Sequence, residues 1–162
     1  MNWIIVSILV AVIDQATKRI ILQRLDIGEK IPVIDGFFYI TLHKNTGAAW
    51  GILQNARIFF LVLIPVIAAF IVYYMLKNKH GLLRFSLSLI LGGAAGNYTD
   101  RIVWGEVTDF LLFYIGSYEF PVFNTADIAI TCGTILLAIY ILFIHKDSSG
   151  KKQDEAKYEQ HN

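Results

Sequence analysis

Cysteine is nearly absent from this 162-residue chain. With Cys132 alone, no disulfide can form within the chain and no multi-cysteine metal site can be built. Charge is also scarce. Only 17% of residues are Asp, Glu, Lys or Arg, and the net charge is +1. A balance so close to neutral, without a basic cluster, gives a nucleic acid nothing to hold. The four histidines, at 43, 80, 145 and 161, are scattered, and none has a ligand-type neighbour three or four residues away. No metal or other cofactor is expected. The five residues Gly92–Gly96 lack the lysine and the strand context of a phosphate loop. No internal repeat is visible.

Apolar sequence is abundant. Hydrophobic residues make up 56% of the chain, against about 45–50% in an average soluble domain. Four stretches are long enough to cross a bilayer, which takes roughly 20 mostly apolar residues. They run from about residue 3 to 25, 58 to 76, 83 to 103 and 124 to 144. The fold class expected is therefore an all-α integral membrane protein of four spans, forming one domain over residues 1–145. The N-terminal stretch is not expected to be a cleaved signal peptide. No basic residue precedes it, and Asp14 and Lys18 occupy the place of a cleavage region. Cys132 lies in an apolar run and reads as a small packing residue.

Lys and Arg set the orientation. The second connection carries Lys77, Lys79 and Arg84, and the polar tail (146–162) carries Lys146, Lys151, Lys152 and Lys157. The connection 104–123 has neither residue type. Both termini are thus expected in the cytoplasm. The first connection, about 26–57, then lies outside and is β-rich, with Asp35-Gly36 as a turn signal. Alternation of Phe38, Ile40 and Leu42 with Tyr39, Thr41 and His43 suits a small amphipathic sheet on the membrane. The third connection reads as an interfacial loop rich in aromatics.

The polar residues inside the spans carry the functional signal. A charge near a bilayer centre costs roughly 2.5–3.5 kcal/mol on insertion scales, so Asp14, Lys18, Asp100 and Arg101 must face partners. Asp14 and Lys18 are four apart and share a helix face, as do Asn97 and Arg101. A network between the first and third spans is expected, for instance Arg101 to Asp14. At about 1.5 Å per residue, Lys18 and Arg101 both rise roughly 25 Å from the inner face. Asp127 opens the fourth span from outside, and Asp109 lies in the loop after the third. Each has a plain structural alternative: helix capping for Asp127 within Asn124-Thr125-Ala126-Asp127, a solvated loop acid for Asp109, helix-tying ion pairs for the rest. Gly92–Gly96 reads as close helix packing.

Four stretches in order resemble lipoprotein signal peptidase, also called signal peptidase II. They are Asp14-Gln15-Ala16-Thr17-Lys18; Asn45-Thr46-Gly47-Ala48-Ala49-Trp50-Gly51; Gly92 to Asn97 with Asp100-Arg101, continuing through Gly105 to Phe110; and Phe120 to Ile130. Any one is weak alone. The four in sequence, on matching spans, are specific and cover about residues 5–145. Tyr98 and Thr99 depart from the apolar pair usual in that family. The resemblance implies an aspartic peptidase with Asp109 and Asp127 as its dyad. It implies supporting or substrate-binding positions at Asp14, Lys18, Asn45, Gly47, Asn97, Asp100, Arg101, Asn124 and Ala126. It further implies a bacterial cytoplasmic-membrane location among membrane lipids, with the site at the outer leaflet. Prolipoproteins with a diacylglyceryl cysteine would be its substrates, and the antibiotic globomycin its inhibitor. Two other classes compete on the residues alone. An ion- or proton-coupled transporter would need polar groups through the whole bilayer, whereas the inner halves of the spans look apolar. A non-catalytic scaffold predicts that Asp109 and Asp127 are dispensable for any activity.

Overall fold

The computed structural model describes residues 2–47 and 52–145. Ala48 to Gly51 of the second family-like stretch, and the tail from Lys146, lie outside the described residues. Four long helices account for most of the chain: α1 (Trp3–Arg24), α2 (Arg57–Lys77), α3 (Gly81–Val103) and α4 (Thr125–Ile139), the last continuing as a π-helical turn, Tyr140–His145. They coincide with the four apolar stretches to within a few residues at each end.

Two helical segments, Arg57–Lys77 and Thr125–Ile144, are long and apolar enough to cross a membrane. α2 buries only Ile71 and Met75 against the rest of the protein, and Pro65 sits within it. Many of its other apolar side chains point outward, including Ile58 at 78% and Leu76 at 71% exposure. A surface so apolar would drive association in water, whereas lipid is its natural surrounding. α1 and α3 are less hydrophobic because each carries buried polar residues: Ser7, Asp14 and Lys18 on α1, and Asn97, Asp100 and Arg101 among others on α3.

α3 is the hub and packs on all three other helices. Close approach is possible because its contact stripe is glycine. A Cβ at Gly93 would collide with the Ala126 carbonyl of α4, and one at Gly96 with the Asp14 carboxylate of α1. The small residues at 92–96 therefore do serve backbone approach. At the end of the bundle away from the sheet, Ile71, Met75, Leu83, Leu87 and Tyr140 form the apolar core, joined by Trp3, Ile90 and Leu137.

The other end carries a four-stranded antiparallel sheet in the order β1 (Lys30–Ile34), β2 (Phe38–Asn45), β3 (Val107–Ile115), β4 (Tyr118–Glu119). The first two strands flank the Asp35-Gly36 turn, as their composition indicates. The third connection corrects the expectation of a loop. Its residues 107–115 form a nine-residue strand pairing with β2, so the sheet draws on both connections. Most of β3 is buried, and its apolar residues form a run rather than an alternation, which hides a strand from a period-two reading.

One irregularity matters for the site. Ile40 faces Leu111, but His43 faces Asp109, so β2 carries an extra residue between them. Without this bulge, Leu42 would oppose Asp109. A one-residue slip exchanges the two faces of a strand. Here it buries both Thr41 and Leu42 and brings His43 and Asn45 to the face that carries Asp109.

Candidate active site

Asp14, Lys18 and Asp100 form a buried cluster where α1 meets α3. Lys18 Nζ lies 2.8 Å from Asp14 and 2.9 Å from Asp100, with side chains at most 3% exposed. It also donates to Asn97 Oδ1 at 2.8 Å, so the three ammonium hydrogens have three acceptors. Asp14 reaches further. Its Oδ1 accepts from the Thr125 hydroxyl at 2.8 Å and from the Ala126 amide at 2.9 Å, tying α1 to the first turn of α4. Asp100 Oδ2 accepts from the Thr108 amide at 3.1 Å and Oδ1 from Gln15 Nε2 at 2.7 Å. Each buried charge is thus paired and hydrogen-bonded, which it must be to avoid a penalty of several kcal/mol per ion.

The α1–α3 network exists, but with other partners than expected. Arg101 does not pair with Asp14. Its Nη2 donates to the Gly47 carbonyl at 2.7 Å and Nη1 to the Asn97 carbonyl at 3.3 Å, while its guanidinium lies 4.4 Å over the Phe60 ring. The reason is azimuth. Asp100 and Arg101 are neighbours on a helix and point about 100° apart, so only one can face α1, and that one is Asp100.

Asp109 is not a solvated loop acid. It sits on β3 with 1% exposure. Its Oδ2 accepts from Asn45 Nδ2 at 2.9 Å and its Oδ1 from Asn124 Nδ2 at 2.6 Å. Asn45 is braced in turn by the Gly47 amide, which donates to its Oδ1 at 2.9 Å. Burial, and after it the charge of Asp127, push the Asp109 pKa up to about 7.

Asp127 is held by a capping box at the start of α4. The Asn124 side chain accepts from the Asp127 amide at 3.0 Å, and Asp127 Oδ2 accepts from the Asn124 amide at 3.1 Å. Capping is therefore real, and it leaves Oδ1 for Asn97 Nδ2 at 2.9 Å. Asn124, fully buried, also donates to Asn97 Oδ1 at 3.1 Å. One asparagine thus touches both acids: Asp109 through its amide hydrogens, Asp127 through its oxygen and backbone. Ala126, at 0% exposure, packs where α3 comes closest.

A cleft of about 970 Å³ opens over this centre. Asp109 and Asp127 both line it, with Asn45, Gly47, Asn97 and Arg101. Asp14, Lys18, Asp100, Asn124 and Ala126 stand behind the wall and hold it. Two carboxylates from separate segments in one cleft, one of them with a pKa near neutrality, have the parts for acid–base hydrolysis. Cys132 corrects the packing assignment: it is exposed and lines the cleft on α4. Gln15, Thr108 and Thr125 belong to the support and were not singled out in the sequence. Their signal is position alone: Gln15 and Thr108 adjoin Asp14 and Asp109, and Thr125 follows Asn124.

Residues 6–143 match the family model described as signal peptidase (SPase) II. A lipoprotein signal peptidase of Bacillus pumilus (strain SAFR-032) is 46% identical over 158 residues, which is 96% of this chain and 99% of that protein. Two solved bacterial membrane enzymes, obtained by the in meso method, share the fold. One has a TM-score of 0.84 at 40% identity, covering 93% of this chain and 91% of its own. The second has 0.80 at 39%, covering 88% and 94%. By a match over nearly its whole length, and by a fold shared with solved membrane enzymes, this chain belongs to the signal peptidase II family of lipoprotein-processing membrane peptidases.

Proposed function

We propose that the protein is an intramembrane aspartic endopeptidase that cuts diacylglyceryl-modified prolipoproteins just before the lipidated cysteine. The observation that carries this reading is the shared hold of Asn124 on Asp109 and Asp127, two acids from different elements lining one cleft.

Like charges so close ionise one at a time, so near neutral pH the pair keeps one proton. The ionised carboxylate takes a proton from a water molecule, which attacks the scissile carbonyl. The protonated one gives its proton to the carbonyl oxygen. As the tetrahedral intermediate collapses, the proton taken from water passes to the leaving amine, and the second acid recovers its own from the intermediate's hydroxyl. The two titrate as a unit, so their apparent pKa values belong to the pair. Arg101, at the cleft wall and bonded to two carbonyls, adds fixed positive charge beside the reacting centre.

All four long helices span the bilayer in this reading, with both termini and the 77–84 connection in the cytoplasm by their Lys and Arg content. The sheet and the cleft then lie at the outer leaflet of the bacterial cytoplasmic membrane. A substrate anchored by acyl chains reaches the dyad without leaving the lipid. Globomycin, by family resemblance, would occupy the same cleft.

The test is cleavage of a purified diacylglyceryl prolipoprotein in detergent. Wild-type protein should cut it, and Asp109→Asn and Asp127→Asn proteins of unchanged thermal stability should not. Full activity in either folded variant would end the dyad reading.

A further inference from the structure

The two sides of the cleft carry different side chains. On the sheet side, His43 and Lys44 from β2 and Glu119 from β4 stand beside the apolar run Phe120 to Phe123. On α4 beyond Asp127 the lining is Ile128, Ile130, Thr131 and Cys132, of which only Thr131 carries a strong hydrogen-bonding group. The dyad marks the seam, Asp109 on the sheet and Asp127 on the helix. A prolipoprotein is also divided at the bond to be cut, with an apolar signal segment before it and a polar mature segment after it.

We propose that His43 and Glu119 form a subsite for the mature segment, reading the first side chain after the lipidated cysteine. The residues before the cut lie along Ile128 to Cys132. This inference rests on the prolipoprotein peptidase reading above.

Three observations support the choice of residues. His43 is the direct cross-strand partner of Asp109. Side chains so paired project from one face with Cβ atoms about 4.5–5.5 Å apart, so the imidazole stands next to the reacting centre. Glu119 is a rigid acceptor. Its Oε2 takes hydrogen bonds from the Tyr114 hydroxyl at 2.6 Å and from Lys30 at 3.3 Å, while half of its side chain stays exposed. Among the described residues, neither the His43 imidazole nor Glu119 Oε1 has a hydrogen-bond partner. Both therefore offer hydrogen-bonding capacity to whatever enters. The lipidated cysteine keeps its acyl chains toward the bilayer, so the next residue is the first whose side chain is free to meet them. At about 3.3 Å per residue, an extended peptide leaving Asp109 passes His43, its cross-strand partner, within two residues.

The subsite predicts a preference for a hydrogen-bonding side chain, such as asparagine, over leucine at that substrate position. In wild-type protein the ratio of kcat/KM for the two should be about three- to tenfold, the size of one net hydrogen bond. In His43→Ala and in Glu119→Ala the ratio should fall toward one. A ratio that neither substitution moves overturns the subsite while leaving the peptidase reading intact. A wild-type protein that cuts neither substrate removes both.

Crosslinking tests the placement without depending on turnover. An Asp127→Asn protein is photolysed with a prolipoprotein carrying benzoylphenylalanine either two residues after the lipidated cysteine or three before it. The first probe should label peptides from residues 38–47 or 118–123, and the second should label 125–135. Reversed labelling, or labelling of the sheet by both probes, overturns the assignment.

Discussion

The two ends of the helix bundle are held together by different forces. At the sheet end, the buried polar side chains include Asp14, Lys18, Asn97, Asp100, Arg101, Thr108, Asp109 and Asn124, beside apolar Leu42, Val107, Phe110 and Leu112. At the far end the buried core is Ile71, Met75, Leu83, Leu87 and Tyr140. The first region is a hydrogen-bonded network in which no buried polar side-chain atom among the described residues lacks a partner. The second is apolar contact between α2, α3 and the end of α4. A network fixes positions through directional bonds and loses much when one member is removed. Packing tolerates changes of shape but loses stability when volume is lost. The sheet end should therefore show its defects in activity and the far end in stability.

The sharpest break comes from Asp127→Asn. Asparagine keeps one acceptor for the capping box but cannot cycle a proton. Cleavage should fall by at least about 10³-fold, the scale of lost acid–base catalysis. Thermal unfolding in detergent should move little. A variant that unfolds instead would show that the capping bond, and not the proton, is what Asp127 contributes.

Leu87→Ala should do the reverse. Leu87 is 6% exposed in the far core. Its truncation leaves a cavity and should cost about 2–4 kcal/mol of stability. The kcat/KM of the folded fraction should stay within about twofold, since no bond of the network passes through Leu87. Equal losses in stability and in specific activity would mean that the two ends are mechanically coupled.

Asn124→Ala sits between these extremes. It removes the amide that donates to Asp109 and the oxygen that caps Asp127. Lost capping alone costs about 1 kcal/mol. Losing the bonds that orient both acids should lower kcat about 10- to 100-fold with a smaller change in KM, on the scale of one or two charge-assisted hydrogen bonds. Steady-state kinetics on the purified variant would separate the two parameters.

The contrast also explains what was legible in the sequence. The helices are plain because all four fall on the long apolar runs of the sequence, two of them, Arg57–Lys77 and Thr125–Ile144, apolar enough to cross a membrane. Asp109 was misplaced into a loop. Its strand is buried along most of its length, so the alternation that marks a half-buried strand is missing from Val107–Ile115. The Arg101–Asp14 pairing failed because spacing along one helix gives the face of a residue but not the rotation of that helix against its neighbour. Gly96, pressed against Asp14, fixes that rotation and turns Asp100 toward Lys18. The bulge that brings Asn45 beside Asp109 had no signal in one sequence, since its two-against-three register exists only once β3 is known to be β2's partner. The resemblance points to Asp109 and Asp127 as a dyad, and both line the cleft, where local pattern alone offers a loop acid for the one and a helix cap for the other.

The smallest predicted effect bears on the cost of that arrangement. The pKa of Asp109 is near 7 in the folded protein and close to 3.8 when unfolded. Between those values the folded state holds a proton that the unfolded state has lost, so stability falls as pH rises from about 4 to 7 and levels off above. Asp109→Asn has no such proton. Wild-type protein should thus lose a few degrees more of Tm than the variant between pH 5 and 8, and cleavage should decline on the same alkaline side as the pair gives up its shared proton. Parallel Tm curves for the two proteins would mean that Asp109 ionises normally within the cleft. The polar end would then hold its acid without strain, and the proton needed for catalysis would have to be kept by Asp127 alone.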